Sequence, residues 1–179
     1  MKKRISYALL APSCLVAFAG PGQTGSAPNP IRLRARLTPV QEVPSTLSSA
    51  TGEWMAEVDP TRTSVTFTMT YSDLSTPVLF SHIHFGQPGV NGAVMVFFCN
   101  NSSNGPQPRP CPTPGGTVSG TFTAADVQAV TTQGIRAGSL DDVLAAISTG
   151  RTYVNIHSMR SPGGEIRGRV RVEEDEGQQ

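Results

Sequence analysis

Lysine ends at the third residue: after Lys2 and Lys3 every basic side chain is an arginine. With Lys2, Lys3 and Arg4 set aside, eleven arginines face thirteen carboxylates. That balance lacks the basic footprint of a nucleic-acid binder, so no nucleic-acid partner is expected. Arg32, Arg34 and Arg36 alternate with apolar residues and read as one solvated strand face. Tryptophan occurs once, and cysteine and histidine three times each. Long apolar runs are missing too. The one near the N-terminus is too short to span a bilayer and is broken by Pro12, so no stable membrane insertion is expected. Catalytic templates are equally scarce. There is no serine in a Gly-x-Ser-x-Gly turn, no phosphate-cradling glycine loop, no helical zinc-protease motif and no free cysteine beside a histidine. The reading leans away from an enzyme, and no catalytic residue is assigned.

What is present starts with an export signature. Met1-Lys-Lys-Arg4, a short apolar stretch and Ala17-Phe-Ala19 describe a signal peptide over residues 1–19. Cys14 lacks the small-residue run that precedes a lipidated cysteine, so a secreted or periplasmic protein is expected in preference to a lipoprotein. Removing the signal leaves about 160 residues, one domain's worth. It also leaves only Cys99 and Cys111, and two cysteines flanking a loop in an exported chain are expected to bond. That loop, residues 100–116, is rich in Asn, Ser, Pro and Gly and has no apolar anchor. Asn100 and Asn101 each open an Asn-x-Ser sequon.

Residues 20–30 form a Gly/Pro/Ser linker. Strand periodicity then begins: Ile31–Leu37, Gly52–Val58, Thr63–Tyr71 (the clearest alternation), Val78–Phe85, Ala93–Cys99 and Thr117–Thr123. The fifth is apolar throughout and reads as a central strand. Capping boxes at Thr123–Asp126 and Ser139–Asp142 open two short helical stretches, the second closed by Gly150. Short helices are expected only there, between the sixth and seventh strands. Thr152–Met159 and Glu165–Val172 close the domain, and residues 173–179 form an acidic tail. Short strands between turn residues argue for an all-β sandwich or flattened barrel.

All three histidines fall in two strands: Phe80-Ser-His-Ile-His-Phe85 and Tyr153-Val-Asn-Ile-His157. Residues two apart on a strand share a face at a spacing of about 6.6 Å. His82 and His84 therefore point together, and His157 shares its face with Asn155 and Tyr153. Ile83, Val154 and Ile156 take the core side, which leaves the histidines on the outer one. If the strands are neighbours, three imidazoles converge in the way zinc or copper requires, with one position open. Such a site should lose its ion as pH falls through about 6.5. In the last hairpin the core-facing positions are all even-numbered. Pairing Ile156 with Gly168 satisfies them, with a loop of Arg160–Gly164 and Arg167 opposite His157. Glu165 then joins the same outer face, either as a surface ion pair with Arg167 or as part of an orienting shell with Tyr153 and Asn155.

These stretches resemble a known family. Ser81-His-Ile-His-Phe-Gly86, Gly89-Val-Asn-Gly-Ala-Val-Met-Val96, Tyr153–His157, Pro162-Gly-Gly-Glu-Ile-Arg-Gly168 and the opening Leu37-Thr-Pro-Val-Gln-Glu-Val-Pro44 are similar to the CHRD (chordin-type) domain. The resemblance covers about residues 31–172 and departs from the family in its long Cys99–Cys111 loop. It implies an antiparallel, Ig-like Greek-key β-sandwich and a secreted module with an extracellular protein partner, and little about activity. A weaker similarity is to the copper site of copper/zinc superoxide dismutases. There too a His-x-His strand and a late histidine supply ligands, a role that would fall to His82, His84 and His157. The bridging histidine and the zinc ligands of that family have no counterpart here. Two functions follow from the sequence: an extracytoplasmic binding or structural module, and a copper- or zinc-binding protein.

Overall fold

The computed structural model describes residues 29–173. The expected signal peptide, the linker up to residue 28 and residues 174–179 of the tail lie outside the described residues. The domain is an antiparallel β-sandwich. Its strands are β1 (Ile31–Leu37), β2 (Thr51–Val58), β3 (Ser64–Ser72), β4 (Val78–Phe85), β5 (Ala93–Asn100), β6 (Gly116–Thr123), β7 (Thr152–Ser158), β8 (Ile166–Arg169) and β9 (Arg171–Val172). One sheet runs β6-β3-β2-β1-β9 and the other β5-β4-β7-β8.

Period-2 alternation builds the first sheet. Trp54 pairs with Met69, Ala56 with Phe67 and Val58 with Val65 across β2 and β3, and all six are buried. Phe98 from β5 crosses the interface to meet Trp54 and Phe67 at ring distances of 5.4 and 4.7 Å, which ties the two sheets into one core. The second sheet does not alternate: β7 is buried at every position. A strand buried on both faces lies between the core and a further covering layer, and that layer positions the site described below.

Several expectations are corrected. β5 is an edge strand of its sheet, with Met95, Val96 and Phe98 at 0 % exposure. The segment after β6 covers its edge, where the Gln128 amide donates to the Met95 carbonyl at 2.8 Å. A 3₁₀ turn at Pro39–Gln41 lies between β1 and β2, outside the connection where helices were expected. In that connection the first capping box opens only a 3₁₀ turn, Ala124–Asp126, and a second 3₁₀ turn follows at Thr131–Gln133. The second box starts α1 (Leu140–Ser148), in which Ser139 accepts from the Asp142 amide. The closing strand of the sequence reading is two strands. At buried Val170 the chain leaves the sheet of β7 and joins β1 of the opposite sheet through β9.

Cys99 and Cys111 are joined by a disulfide. The loop it closes has polar anchors in place of apolar ones. Asn101 donates to the carbonyls of Val78 and Cys111 and accepts from the Cys111 amide, while Asn100 donates to the carbonyls of Asn104 and Pro106. Both sequon amides are thus used within the fold. Replacing both cysteines by serine is expected to lower unfolding stability by about 2–3 kcal/mol, close to the closure entropy of so short a loop. Urea unfolding of the double variant measures this, and an unchanged midpoint would contradict it.

Candidate metal centre

β4 and β7 are antiparallel neighbours with His82 opposite Asn155, His84 opposite Tyr153 and Phe80 opposite His157. The register places the third imidazole diagonally across from the first. Ring centroids are 4.4 Å apart for His82 and His84, 4.7 Å for His82 and His157, and 6.5 Å for His84 and His157. One ligand nitrogen from each lies within 4.8 Å of the other two. Ile83, Val154 and Ile156 face the core at 0 % exposure, as the two-residue repeat requires.

The outer position expected for the histidines is corrected: they are only 3, 7 and 6 % exposed for His82, His84 and His157. Loops from both sheets fold over this face. Gly92 from the β4–β5 turn and Pro162 from the β7–β8 loop each place a carbonyl on a ring, and Phe80 and Phe97 wall off His82 at 5.2 and 4.9 Å. Gly92 has to be a glycine, because a Cβ there would collide with the Phe85 carbonyl.

Those carbonyls decide the tautomers. A carbonyl oxygen only accepts, so Nδ1 of His84, 2.9 Å from Gly92 O, carries the proton, as does Nδ1 of His157, 2.9 Å from Pro162 O. In the neutral rings the lone pair is left on Nε2, as metal-binding histidines require. His157 Nε2 and His82 Nδ1 are buried with no hydrogen-bond partner. His84 Nε2 lies 3.1 Å from Asn155 Oδ1, and with the ring proton on Nδ1 the Asn155 amide has to turn its nitrogen to the ring to donate to that lone pair. Burial holds all three imidazoles neutral. It lowers His84 and His157 to about 4 and His82 well below the usual histidine range; neighbouring imidazoles add to the effect at His82 and His157, and the Arg167 charge adds to it at His84 and His157. The ligand form therefore persists far below the pH of 6.5 expected from free histidine.

Around the cluster stands a layer of stacked and paired side chains. Tyr153 stacks on His84 at 4.5 Å with 9° between planes, and the Arg167 guanidinium lies 4.0 Å from the Tyr153 ring centre. Arg167 pairs with Glu42 at 2.9 Å, both nearly inaccessible, and donates to Asn91 and to the Val90 carbonyl. Burial raises the Glu42 pKa, and the attraction of Arg167 opposes that rise. Gly164, at φ 125°, leaves room for the Glu42 carboxylate that a Cβ would take.

Of the expected outer residues, Tyr153, Asn155 and Arg167 join the site and Glu165 does not. The hairpin register differs by two residues from the expected one: Ile156 pairs with Ile166, which sets Arg167 opposite Asn155. Arg167 does share the histidine face. Parity constrained the faces but left the sum of paired positions free. Glu165 turns away to Ser48, Ser75 and Ser158 and makes no ion pair with Arg167. Burial raises its pKa, and these donors outweigh that effect to give a net lowering. The sequence reading missed Glu42, Phe80 and Phe97. Glu42 stood inside the quoted Leu37–Pro44 segment, where a lone carboxylate among apolar neighbours was the available signal.

The CHRD-domain profile matches residues 33–170. The chain belongs to the CHRD-domain family. No curated protein and no solved structure matches it significantly. The stretches that carried the resemblance converge on the histidine cluster of this CHRD domain. They contribute Glu42, the His82/His84 pair, Gly92, the Asn155/His157 pair, and Pro162 with Arg167. No helix among the described residues is long and apolar enough to cross a membrane.

Proposed function

We propose that this CHRD-domain chain is an exported module that binds one transition-metal ion, copper in preference to zinc, on His82, His84 and His157. The observation that carries the proposal is the cluster itself: three buried, neutral imidazoles with ligand nitrogens within 4.8 Å of one another. A purely structural cluster would be expected to partner its buried nitrogens, yet His82 Nδ1 and His157 Nε2 have no partner. Nitrogens sharing an ion at 2.0–2.1 Å stand about 3.5 Å apart, so side-chain shifts of about an ångström close the set. Gly92 and Pro162 hold two tautomers in the ligand form.

Copper is preferred because first-row affinities favour it at imidazole sites. The donor set is also uncharged and dry, and the cost of burying an ion grows with the square of its charge, which favours the monovalent state. The proposal stops at binding: the bridging histidine and zinc ligands of the dismutases are absent from the sequence. Export is supported by the pattern of residues 1–19 and by the disulfide, a bond that persists in oxidising compartments.

The test is calorimetry of protein purified without a histidine tag, with Cu(II), Zn(II) and chelator-buffered Cu(I). One ion per chain is expected, and His84→Ala or His157→Ala should weaken binding by more than about 100-fold, since loss of an outer partner alone costs 10–100-fold. Weak binding that neither substitution changes would make the cluster structural and end the proposal.

A further inference from the structure

Beside the histidine cluster, on the far side of Tyr153, lies a second feature that the metal reading does not use. A cavity of about 490 Å³ opens between the Pro39–Ser45 segment, the β4–β5 turn and the ends of β7, β8 and β9. Six buried polar side-chain atoms lack a partner among the described residues. Two belong to the histidines, and three more sit on residues that line this cavity: Glu42 Oε1, Thr152 Oγ1 and Arg167 Nε. Those residues are 3, 1 and 5 % exposed. Those three atoms are themselves closed off from solvent, so they stiffen the cavity's wall, and what the cavity offers a guest is its exposed lining.

The charges around it select the guest. Glu42 and Arg167 neutralise each other. Arg169 and Arg171 also line the cavity, both are exposed, and neither has a carboxylate partner among the described residues. Arg169 is aimed by its Nε, which donates to the Gly150 carbonyl at 2.6 Å. The opposite wall is apolar: Val40, 70 % exposed, with Val43 and Pro88. Planar guanidinium forks match carboxylate and phosphate heads, and the apolar wall matches a hydrocarbon body.

We propose that this cavity binds a small organic anion, its carboxylate or phosphate head on Arg169 and Arg171 and its apolar body against Val40, Val43 and Pro88. The proposal stands independently of the metal reading and is tested on the metal-free protein.

The experiment is an amide NMR titration of the ¹⁵N-labelled chain with benzoate, phenyl phosphate, inorganic phosphate and benzyl alcohol. Benzoate or phenyl phosphate should produce saturable shifts centred on Thr152, Arg169 and Arg171, and which of the two binds more tightly identifies the head. Arg171→Ala, an exposed position that the fold does not need, should weaken that binding by about tenfold, the scale of a lost charge-assisted hydrogen bond. The proposal is overturned if neither aromatic anion saturates at millimolar concentration, if benzyl alcohol or inorganic phosphate binds as well, or if Arg171→Ala leaves the affinity unchanged.

Discussion

Replacing Glu42 by leucine is expected to destabilise the domain by about 3–5 kcal/mol, because it leaves the Arg167 guanidinium buried and unpaired. Arg167 is 5 % exposed, and Glu42 supplies its carboxylate at 2.9 Å. The Asn91 and Val90 oxygens that remain are neutral. The double variant Glu42→Leu/Arg167→Leu should recover a large part of the loss, since replacing both members of a buried pair by apolar groups is far milder than breaking it. Urea unfolding of the two variants measures the difference. A single variant costing under 1 kcal/mol would show that this pair is solvated and that the loops do not seal the histidine face.

Acid should unfold the metal-free domain well above the pH at which its carboxylates titrate. His84 and His157 have folded pKa values of about 4, against an unfolded value near 6.5. Between those limits the unfolded chain binds protons that the folded chain refuses, so stability falls as pH falls through that window. Each of the two imidazoles accounts for a loss on the order of 3 kcal/mol once pH has dropped below 4. His82 is shifted in the same direction and adds to it. Glu165, lowered in the fold, extends the loss at still lower pH, while Glu42, raised in the fold, opposes it. Unfolding free energies at pH 7.5, 6, 5 and 4 test this. A flat profile down to pH 4.5 would mean that the imidazoles are open to water.

Alternation in Thr63–Tyr71 placed Val65, Phe67, Met69 and Tyr71 on one face, and all four are buried. The two-residue rule sent His82, His84 and His157 to one side of their sheet and Ile83, Val154 and Ile156 to the other, and the structure agrees. Periodicity says which residues share a face and nothing about what covers it. The burial of the histidines arises from Gly92, Pro162 and the Glu42 segment, loop residues whose paths depend on tertiary contacts. The partner of Arg167 was missed for the same reason, since Glu42 sits in the β1–β2 connection, far from Arg167 along the chain. The hairpin offset makes the connection tighter by two residues than expected, since Ile156 meets Ile166 in place of Gly168, and Glu165 within it is held by Ser48, Ser75 and Ser158, contacts that turn chemistry alone does not reveal. Val170, where the chain changes sheets, carried no signal distinct from an ordinary strand residue.

X-ray absorption at the copper edge of the loaded protein tests the central claim most directly, because it reads the ligands of the bound ion. With one equivalent of copper, the spectrum should show three imidazole nitrogens at about 2.0 Å, and His157→Ala should remove one of them. A spectrum dominated by water, carboxylate or backbone oxygen, and unchanged by His157→Ala, would place the metal elsewhere and contradict the account.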